Sequence, residues 1–427
     1  MGDGIIQEAV IQNLRRCFPA ARIIGVTLFP ERTESIHGIP SFPATGFSRR
    51  FYAVEHLVSE TEGKTDIPSL SGSVKRRLKN MEFIFSPMKK IMAKLHVPVA
   101  IAKSIHAFIA EIFREPVHII KTFNFLKDVE VLIFSGGGQI DDYWGGAFGQ
   151  PYAMFKWAVL SKLRGKKIIF LSIGACSLDS ILSRIFIRYS FQLADYRSFR
   201  DHESKNMLKG FRFISMDPVF PDLAFSYIPG TPGKGSKGDS VGKTIIGISP
   251  IAYLSERWPR NNPSVFHAYI QALSELIGWF LKGQNSISLF TTDSMDQHVS
   301  DKIMKNLQAS GVEHGKIENR KIRSFDELSK FLMETDYVVA SRLHGVILAH
   351  IANKPVLGIS YDRKVNTYMS EMDQMEYCVD IHSVETDSLI AAYKKMVENE
   401  DEIREHIRKK VSINIQNLEF QYQNILT

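Results

Sequence analysis

The chain has 427 residues, of which 44% are hydrophobic and 23% charged, and it carries a formal net charge of +7. That length exceeds a usual single core, so two domains are expected, and the ordinary composition excludes disordered and low-complexity classes. The three cysteines, Cys17, Cys176 and Cys378, lie far apart with no C-x-x-C, which excludes a disulfide framework or zinc ribbon and favours a reducing compartment.

The chain opens with Gly2-Asp3-Gly4 and an apolar helical pattern through Ile5, Ile6, Ala9, Val10 and Leu14. A Gly-Asp-Gly turn at a helix start normally follows a strand in a Rossmann-like unit. Either that strand is absent or the chain starts downstream of it. No signal-peptide pattern is present. Residues Ala21 to Phe29 predict a strand, and residues 30–72 an irregular loop. Between Ser73 and Lys121 there are ten Lys/Arg and three acids, giving +7 for this segment alone and leaving the remainder near neutral. It reads as amphipathic helices split near Pro87, Pro98 and Pro116. Such a basic stripe suits an anionic membrane surface or a solvated face. No RNP-like or helix-turn-helix signature supports nucleic acid. The apolar stretch from His96 to Phe113 is broken by Lys103, His106 and Glu111, so it does not read as a membrane span.

Val129 to Phe134 predicts a buried strand running into Ser135-Gly136-Gly137-Gly138, where a ligand or another backbone can approach closely. The spacing is not G-x-G-x-x-G, so no dinucleotide fingerprint is supported. Asp141 and Asp142 lack a third metal ligand and read better as helix caps or solvated groups. A helix over Phe148–Leu163, a strand over Lys166–Ser172, a helix over Arg184–Leu193 and a strand ending in Arg200-Asp201 follow. The Gly/Pro-rich stretch Ser226 to Lys243 reads as an interdomain linker. Its closing G-K-T is no P-loop, because the required earlier glycine is Lys237 and a strand follows rather than precedes it. The domains expected are residues 1–228 with a basic helical insert at about 73–121, a linker at 229–243, and residues 244–427.

The second half alternates strand and helix: strands at Thr244–Ile251, Ser286–Phe290, Tyr337–Ala340, Pro355–Ser360 and Tyr377–Asp380, with helices between and amphipathic helices at Thr386–Glu398 and Glu400–Leu418. Repeated βαβ units predict an α/β fold of two Rossmann-like, doubly wound parallel-sheet domains facing a central cleft. Ser341-Arg342-Leu343-His344-Gly345 then sits at a strand–helix junction. So do Gly136–Gly138, Arg200-Asp201 and Tyr361–Lys364. Polar groups converging at such edges make an anion-binding cleft. The plainer alternatives are that Arg342 pairs with a local carboxylate, that His344 is a hydrogen-bonded buried histidine, that Arg200-Asp201 is a cap with an ion pair, and that Lys364 is solvated.

At these residues the chain resembles the polysaccharide pyruvyl transferase family. Gly2-Asp3, Val131 to Gly138 (VLIFSGGG), Ile173-Gly174, Arg200-Asp201-His202-Glu203-Ser204, Asp222-Leu223-Ala224-Phe225 and Ser341 to Gly345 carry the likeness, the last most specifically. It spans about residues 2–375 and is weakest over 30–120. The resemblance implies a fold similar to two-domain B-type glycosyltransferases. It also implies phosphoenolpyruvate as donor substrate, a saccharide acceptor that gains a pyruvyl ketal, and no separate cofactor or metal. His344 is then expected as general acid, with Asp201 and Asp3 orienting or deprotonating the acceptor. Arg342, Arg200, Ser341, Gly345, Gly136, Gly137, Gly138 and Lys364 are expected to bind substrate, the cations by pairing with phosphate and carboxylate. A cytoplasmic location, with peripheral contact at the inner face of the membrane, is expected. The alternatives are a nucleotide-sugar glycosyltransferase of similar architecture and a catalytically silent component of a polysaccharide-assembly complex.

Overall fold

A computed structural model describes residues 2–47, 114–143, 145–229, 243–258, 261–312 and 317–426. Most of the expected basic insert and linker fall outside these residues.

The first helix, α1 (Gly2–Cys17), buries Ile5, Ile6, Ala9 and Val10. It leads to a short strand, β1 (Gly25–Thr27), where the sequence reading expects a longer one. The expected irregular loop begins with a helix, α2 (Pro30–His37), and a strand, β2 (Ser41–Pro43), that pairs in parallel with β1. Pro30 opens α2 where its missing N–H costs nothing, and Gly38 closes it in the left-handed region at φ 61°. These two local signals outweigh the polar composition of the stretch. A helix over residues 114–125, α3, runs through Pro116, which the sequence reading takes as a break.

Three parallel strands then build the first sheet, in the order β3 (Val131–Ile140), β4 (Lys167–Ala175), β5 (Tyr196–Phe199). The helices α4 (Gln150–Leu163) and α5 (Ile181–Leu193) connect them, and α6 (His202–Met207) follows β5. Phe134 and Phe170 stack at 4.2 Å on paired positions of β3 and β4, and Phe191 of α5 closes over Phe170 at 4.8 Å.

The second sheet has six parallel strands: β6 (Ile245–Ser249), β7 (Ser286–Phe290), β8 (Ile317–Arg320), β9 (Tyr337–Ala340), β10 (Val356–Ser360) and β11 (Cys378–Asp380). Their order is β11-β10-β9-β6-β7-β8. This is the 3-2-1-4-5-6 order of a dinucleotide-type domain, and its topological switch point lies between β6 and β9. Every residue of β9 and β10 is buried, as expected for central parallel strands covered on both faces. The edge strand β8 (IENR) has one buried residue, and the sequence reading does not find it. The helices α7 (Pro263–Lys282), α8 (Gln297–Ala309), α9 (Phe325–Glu334), α10 (Leu343–Ile351), α11 (Arg363–Glu371) and α12 (Thr386–Glu398) cover the faces.

The last helix, α13 (Glu400–Leu426), crosses back from this half to the first one. Its Gln421 donates to Ser198 Oγ at 2.7 Å on β5, and Tyr422 lies 3.4 Å from Ser226. Ile5, Ile6 and Val10 of α1 join Ile169 and Leu171 of β4 to the core of the six-stranded half. One continuous apolar core therefore ties the two sheets together and sets the walls of the space between them.

Candidate active site

The geometry of β9 and its following helix comes from three constraints. The backbone of Ser341 donates to Ser249 O at 3.1 Å, which locks the ends of β9 and β6 together at the switch point. Ser341 Oγ is 2.7 Å from the buried Tyr269 hydroxyl, and that hydroxyl accepts from Ile251 N. Ser341 thus braces the junction rather than opening to a ligand. Gly345 packs over Ser249 and Ala340, where an added Cβ would meet neighbours at 3.4–3.5 Å, ordinary van der Waals contact. Its role is close packing of α10 on the sheet.

Arg342 lies fork-on-fork against Asp296, with Nε–Oδ2 at 2.7 Å and Nη2–Oδ1 at 2.9 Å, and Asp293 stands 3.8 Å away. Burial alone would lower the guanidinium pKa, but Asp296 and then Asp293 outweigh it and hold it above its ordinary range. Among the described residues Nη1 has no hydrogen-bond or ion-pair partner. Asp296 is wholly buried and also accepts from Ala252 N at 2.8 Å. The sequence reading assigns no role to Asp293 or Asp296, although Thr291-Thr292-Asp293 at the end of β7 is the signal that marks them.

The facing wall comes from the first half. Gly136 and Gly137 adopt φ 65° and 76°, which side chains rarely tolerate, and an added Cβ at Gly136 would strike Leu223 at 2.7 Å. Gly136 therefore serves backbone packing inside β3, whereas the Cβ direction of Gly138 meets open space. Gly174, at the end of β4, has a sharper requirement. A Cβ there would lie 2.8 Å from Arg200 Cζ. Arg200 needs that gap because it is buried, with Nε donating to Asp201 Oδ2 at 3.0 Å and Nη1 at 3.6 Å from Asp222 Oδ2. Burial would lower its pKa, but Asp222 and Asp201 reverse that and raise it. Asp201 also caps α6 by accepting from Ser204 N at 2.6 Å. Arg200 and Asp201 are thus both an internal ion pair and part of the wall.

Asp222 joins the two walls. Its Oδ1 accepts from Ala224 N, and its Oδ2 lies 3.7 Å from His344 Nε2 and 3.6 Å from Arg200. Burial pushes this carboxyl up, yet His344 and Arg200 together hold it below the usual carboxylate range. Asp222 belongs to the stretch that resembles the family, but the sequence shows no partner for it. The pairing with His344 spans 122 positions and exists only in the fold.

Beside this chain of charges lies a cavity of about 190 Å³ between the two halves. Arg200, Asp201 and Asp222 line one side, and Leu343, Lys364 and Tyr368 the other. Lys364 extends over the Tyr361 ring at 5.2 Å, and among the described residues no carboxylate forms an ion pair with it. Tyr361 and Asp362 hold its ammonium pKa above the ordinary range against burial. Glu203 of α6 bonds to Arg363 at 2.5 Å and to Thr367, which clasps the halves at the cavity mouth. Asp3 lies in the first turn of α1, and its side chain is outside the described residues. Asp142 accepts from Asp179 N and Ser180 N in the loop ahead of α5, whose cap is Ser180 itself, so Asp142 ties that loop rather than capping a helix. Among the described residues no three His, Cys, Asp or Glu side chains converge as a metal site.

The site thus brings together His344, Arg200, Asp201 and Lys364 around Asp222 and its cavity, while Arg342, two residues before His344, is held by Asp296. No curated protein matches the chain in sequence. Among solved structures, the UDP-GlcNAc 2-epimerase from Neisseria meningitidis, bound to UDP-GlcNAc, aligns over 97% of this chain and 96% of its own, with a TM-score of 0.52 and 11% identity. Anabaena HepE in complex with UDP aligns over 73% and 81%, with a TM-score of 0.48 and 12% identity, and the S. aureus MnaA–UDP structure over 68% and 72%, with 0.45 and 14%. The first of these shares the two-domain arrangement of B-type glycosyltransferases, which the family resemblance implies. The family model for polysaccharide pyruvyl transferase matches residues 1–363, which include every element of the site except Lys364, and the chain therefore belongs to this family of enzymes.

Proposed function

We propose that the enzyme takes the pyruvyl group of phosphoenolpyruvate and sets it as a ketal on a sugar of a polysaccharide or lipid-linked oligosaccharide. The observation that carries the reading is the pairing of His344 with Asp222 across the two halves, next to a cavity edged by Lys364 and Arg200. Phosphoenolpyruvate is small and carries a phosphate and a carboxylate, and a cavity of this size with cations at its edge suits it.

The chemistry needs a proton at the methylene carbon of the donor. His344 delivers it, and buried, charged Asp222 holds the ring in place and balances its charge. An oxocarbenium-like centre forms at the adjacent carbon. A sugar hydroxyl attacks it, phosphate leaves, and a second hydroxyl of the same sugar closes the ketal. Lys364 and Arg342 hold the anionic groups. Arg200 acts through Asp222, since both of its carboxylate partners already claim it. Asp201 and Asp3 orient or deprotonate the acceptor. No metal is required, because the cations neutralise the phosphate.

The test is phosphate release from phosphoenolpyruvate with sugar acceptors, comparing wild type with His344→Ala and Arg342→Ala. His344→Ala is expected to lower turnover by about a hundredfold or more. Unchanged turnover in both variants sinks the assignment. A parallel binding screen of phosphoenolpyruvate against UDP-GlcNAc, the ligand of the N. meningitidis neighbour, separates this reading from a nucleotide-sugar enzyme. Binding of neither, with co-purification of assembly enzymes, points to a silent component. We also place the protein in the cytoplasm with peripheral contact at the inner membrane face. Among the described residues no helix is long and apolar enough to cross a membrane. Loss of anionic-liposome binding on replacing Lys89, Lys90 and Lys94 is the expected result, and persistent binding removes that segment as the contact.

A further inference from the structure

Four rings converge at the carboxyl ends of β6, β10 and β11, and of these only Tyr361, which underlies Lys364, has a part in the site above. Tyr253 lies 5.5 Å from Trp258, 5.3 Å from Tyr361 and 5.6 Å from His382, and its hydroxyl is 3.3 Å from His382 Nε2. Tyr361 is buried, Tyr253 and Trp258 are half-buried, and His382 is exposed, so the cluster has a packed back and a wet front. It adjoins the cavity directly, because Tyr361 carries Lys364 over its ring. Across the cleft stands Tyr143, an exposed side chain of the first half, and the Tyr253 hydroxyl pKa is raised by burial, then by Asp362 and Tyr143.

The loop that presents Tyr253 is built rather than free. Ala252 N is held by the buried Asp296 that also grips Arg342, and Asn262 N closes onto Leu254 O at 2.9 Å. Leu254, next to Tyr253, is held at φ 57°, a left-handed conformation that leucine rarely adopts. Such strain persists where surrounding bonds over-determine it, and it concentrates at ligand clamps. The rings cross at 53°, 73° and 88° around Tyr253, so they offer no slot between parallel faces for a flat base. The half-buried Tyr253 and Trp258 keep part of their surface accessible beside a hydroxyl and an imidazole, a combination that suits the C–H face and hydroxyl rim of a pyranose.

We propose that Tyr253, Trp258, Tyr361 and His382 form the acceptor-sugar subsite, stacking a neutral pyranose beside the donor cavity. This rests on the pyruvyl-transfer reading and names the ligand class of its second substrate. The grip of Asp296 on both Arg342 and the Tyr253 loop fixes the distance between the two substrates.

The probes are the methyl glycosides of galactose, mannose and N-acetylglucosamine at tens of millimolar, UDP and phosphoenolpyruvate. Each is titrated separately by ligand-observed NMR into wild type, Tyr253→Ala, Trp258→Ala and Trp258→Phe, with near-ultraviolet dichroism to confirm the fold. At least one glycoside is expected to bind wild type and to lose about tenfold or more in affinity in both alanine variants. Trp258→Phe should keep most of that affinity, and phosphoenolpyruvate binding should not change. The proposal is overturned if no glycoside binds wild type, if the alanine variants bind as well as wild type, if donor affinity falls in parallel, or if UDP binding alone is lost. Ring-dependent glycoside binding by a protein that ignores phosphoenolpyruvate supports the subsite and refutes the donor.

Discussion

Arg200 and Arg342 occupy equivalent places in the two halves, each at the carboxyl end of a strand, yet the fold uses them differently. Arg200 is enclosed, hydrogen-bonded to Asp201 and in charge contact with Asp222 at 3.6 Å. Arg342 is held in a planar fork by Asp296, with Asp293 3.8 Å away, and hydrogen-bonds only through Nε and Nη2 among the described residues. The first is a cross-strut that sets the position of Asp222 and through it His344. The second is tethered to Asp296 and is the group proposed to hold an anionic part of the donor. An arginine at a strand end is therefore an anion site only to the extent that its neighbours leave it one, and here Lys364 is the site cation that pairs with no carboxylate among the described residues.

The largest test of this contrast is Asp222→Ala. It removes the buried carboxylate that faces the Arg200 guanidinium and the His344 ring, and breaking a buried ion pair typically costs about 3–5 kcal/mol. Urea unfolding should show that loss, and a change below about 1 kcal/mol would mean that the strut carries no load. Next comes Gly174→Ala, whose methyl would collide with the Arg200 guanidinium. Overpacking of this kind costs about 1–3 kcal/mol, and the Arg200 shift should also depress turnover. An unaltered melting temperature and turnover would show that Arg200 moves freely.

Acid sensitivity probes the packing behind the site. His350 is buried against the Tyr368 hydroxyl at 2.9 Å, and burial pushes its pKa down to about 3. Below about pH 6.5, its unfolded value, the unfolded chain binds a proton that the folded one refuses. Stability should therefore fall as pH drops from about 6.5 toward 3, by about 1.4 kcal/mol per unit from this group, and be constant in this term above 6.5. His350→Gln should flatten the slope of urea midpoint against pH, and identical slopes would disprove the buried neutral state. The smallest effect expected is at Lys364. Lys364→Met should raise KM for phosphoenolpyruvate about tenfold, worth about 1.4 kcal/mol, without lowering the melting temperature. If Arg342→Ala raises KM and Lys364→Met does not, the two cations have been assigned the wrong way round.

The six-stranded sheet was legible in the sequence because its strands are buried on both faces and its helices have long apolar stripes. Val338, Val339 and Ala340 could hardly be anything but a central strand. Strand β8 was not, since IENR at a sheet edge has neither alternation nor an apolar run. The segment from Pro30 to Pro43 was misjudged because two short elements stabilised by a proline start and a glycine cap leave little periodic signal. Lys364 and His344 stand out in the sequence by their place at strand ends, and in the fold Lys364 lines the cavity and His344 meets Asp222. Ser341 stands out on the same grounds but braces Tyr269 instead.

By itself the sequence determined the strand–helix alternation, the glycines at Gly136 and Gly174, and the motif Ser341 to Gly345, because those depend on local backbone preferences and on apolar periodicity. Which charges meet was decided only by the tertiary structure. Asp222 reaches His344, Asp296 grips Arg342, and Tyr253 finds Tyr361 and His382 across separations that no local rule encodes. Pairing energies of buried charges depend on distance and on exclusion of water. Both quantities come into being only when the two halves close on their shared core.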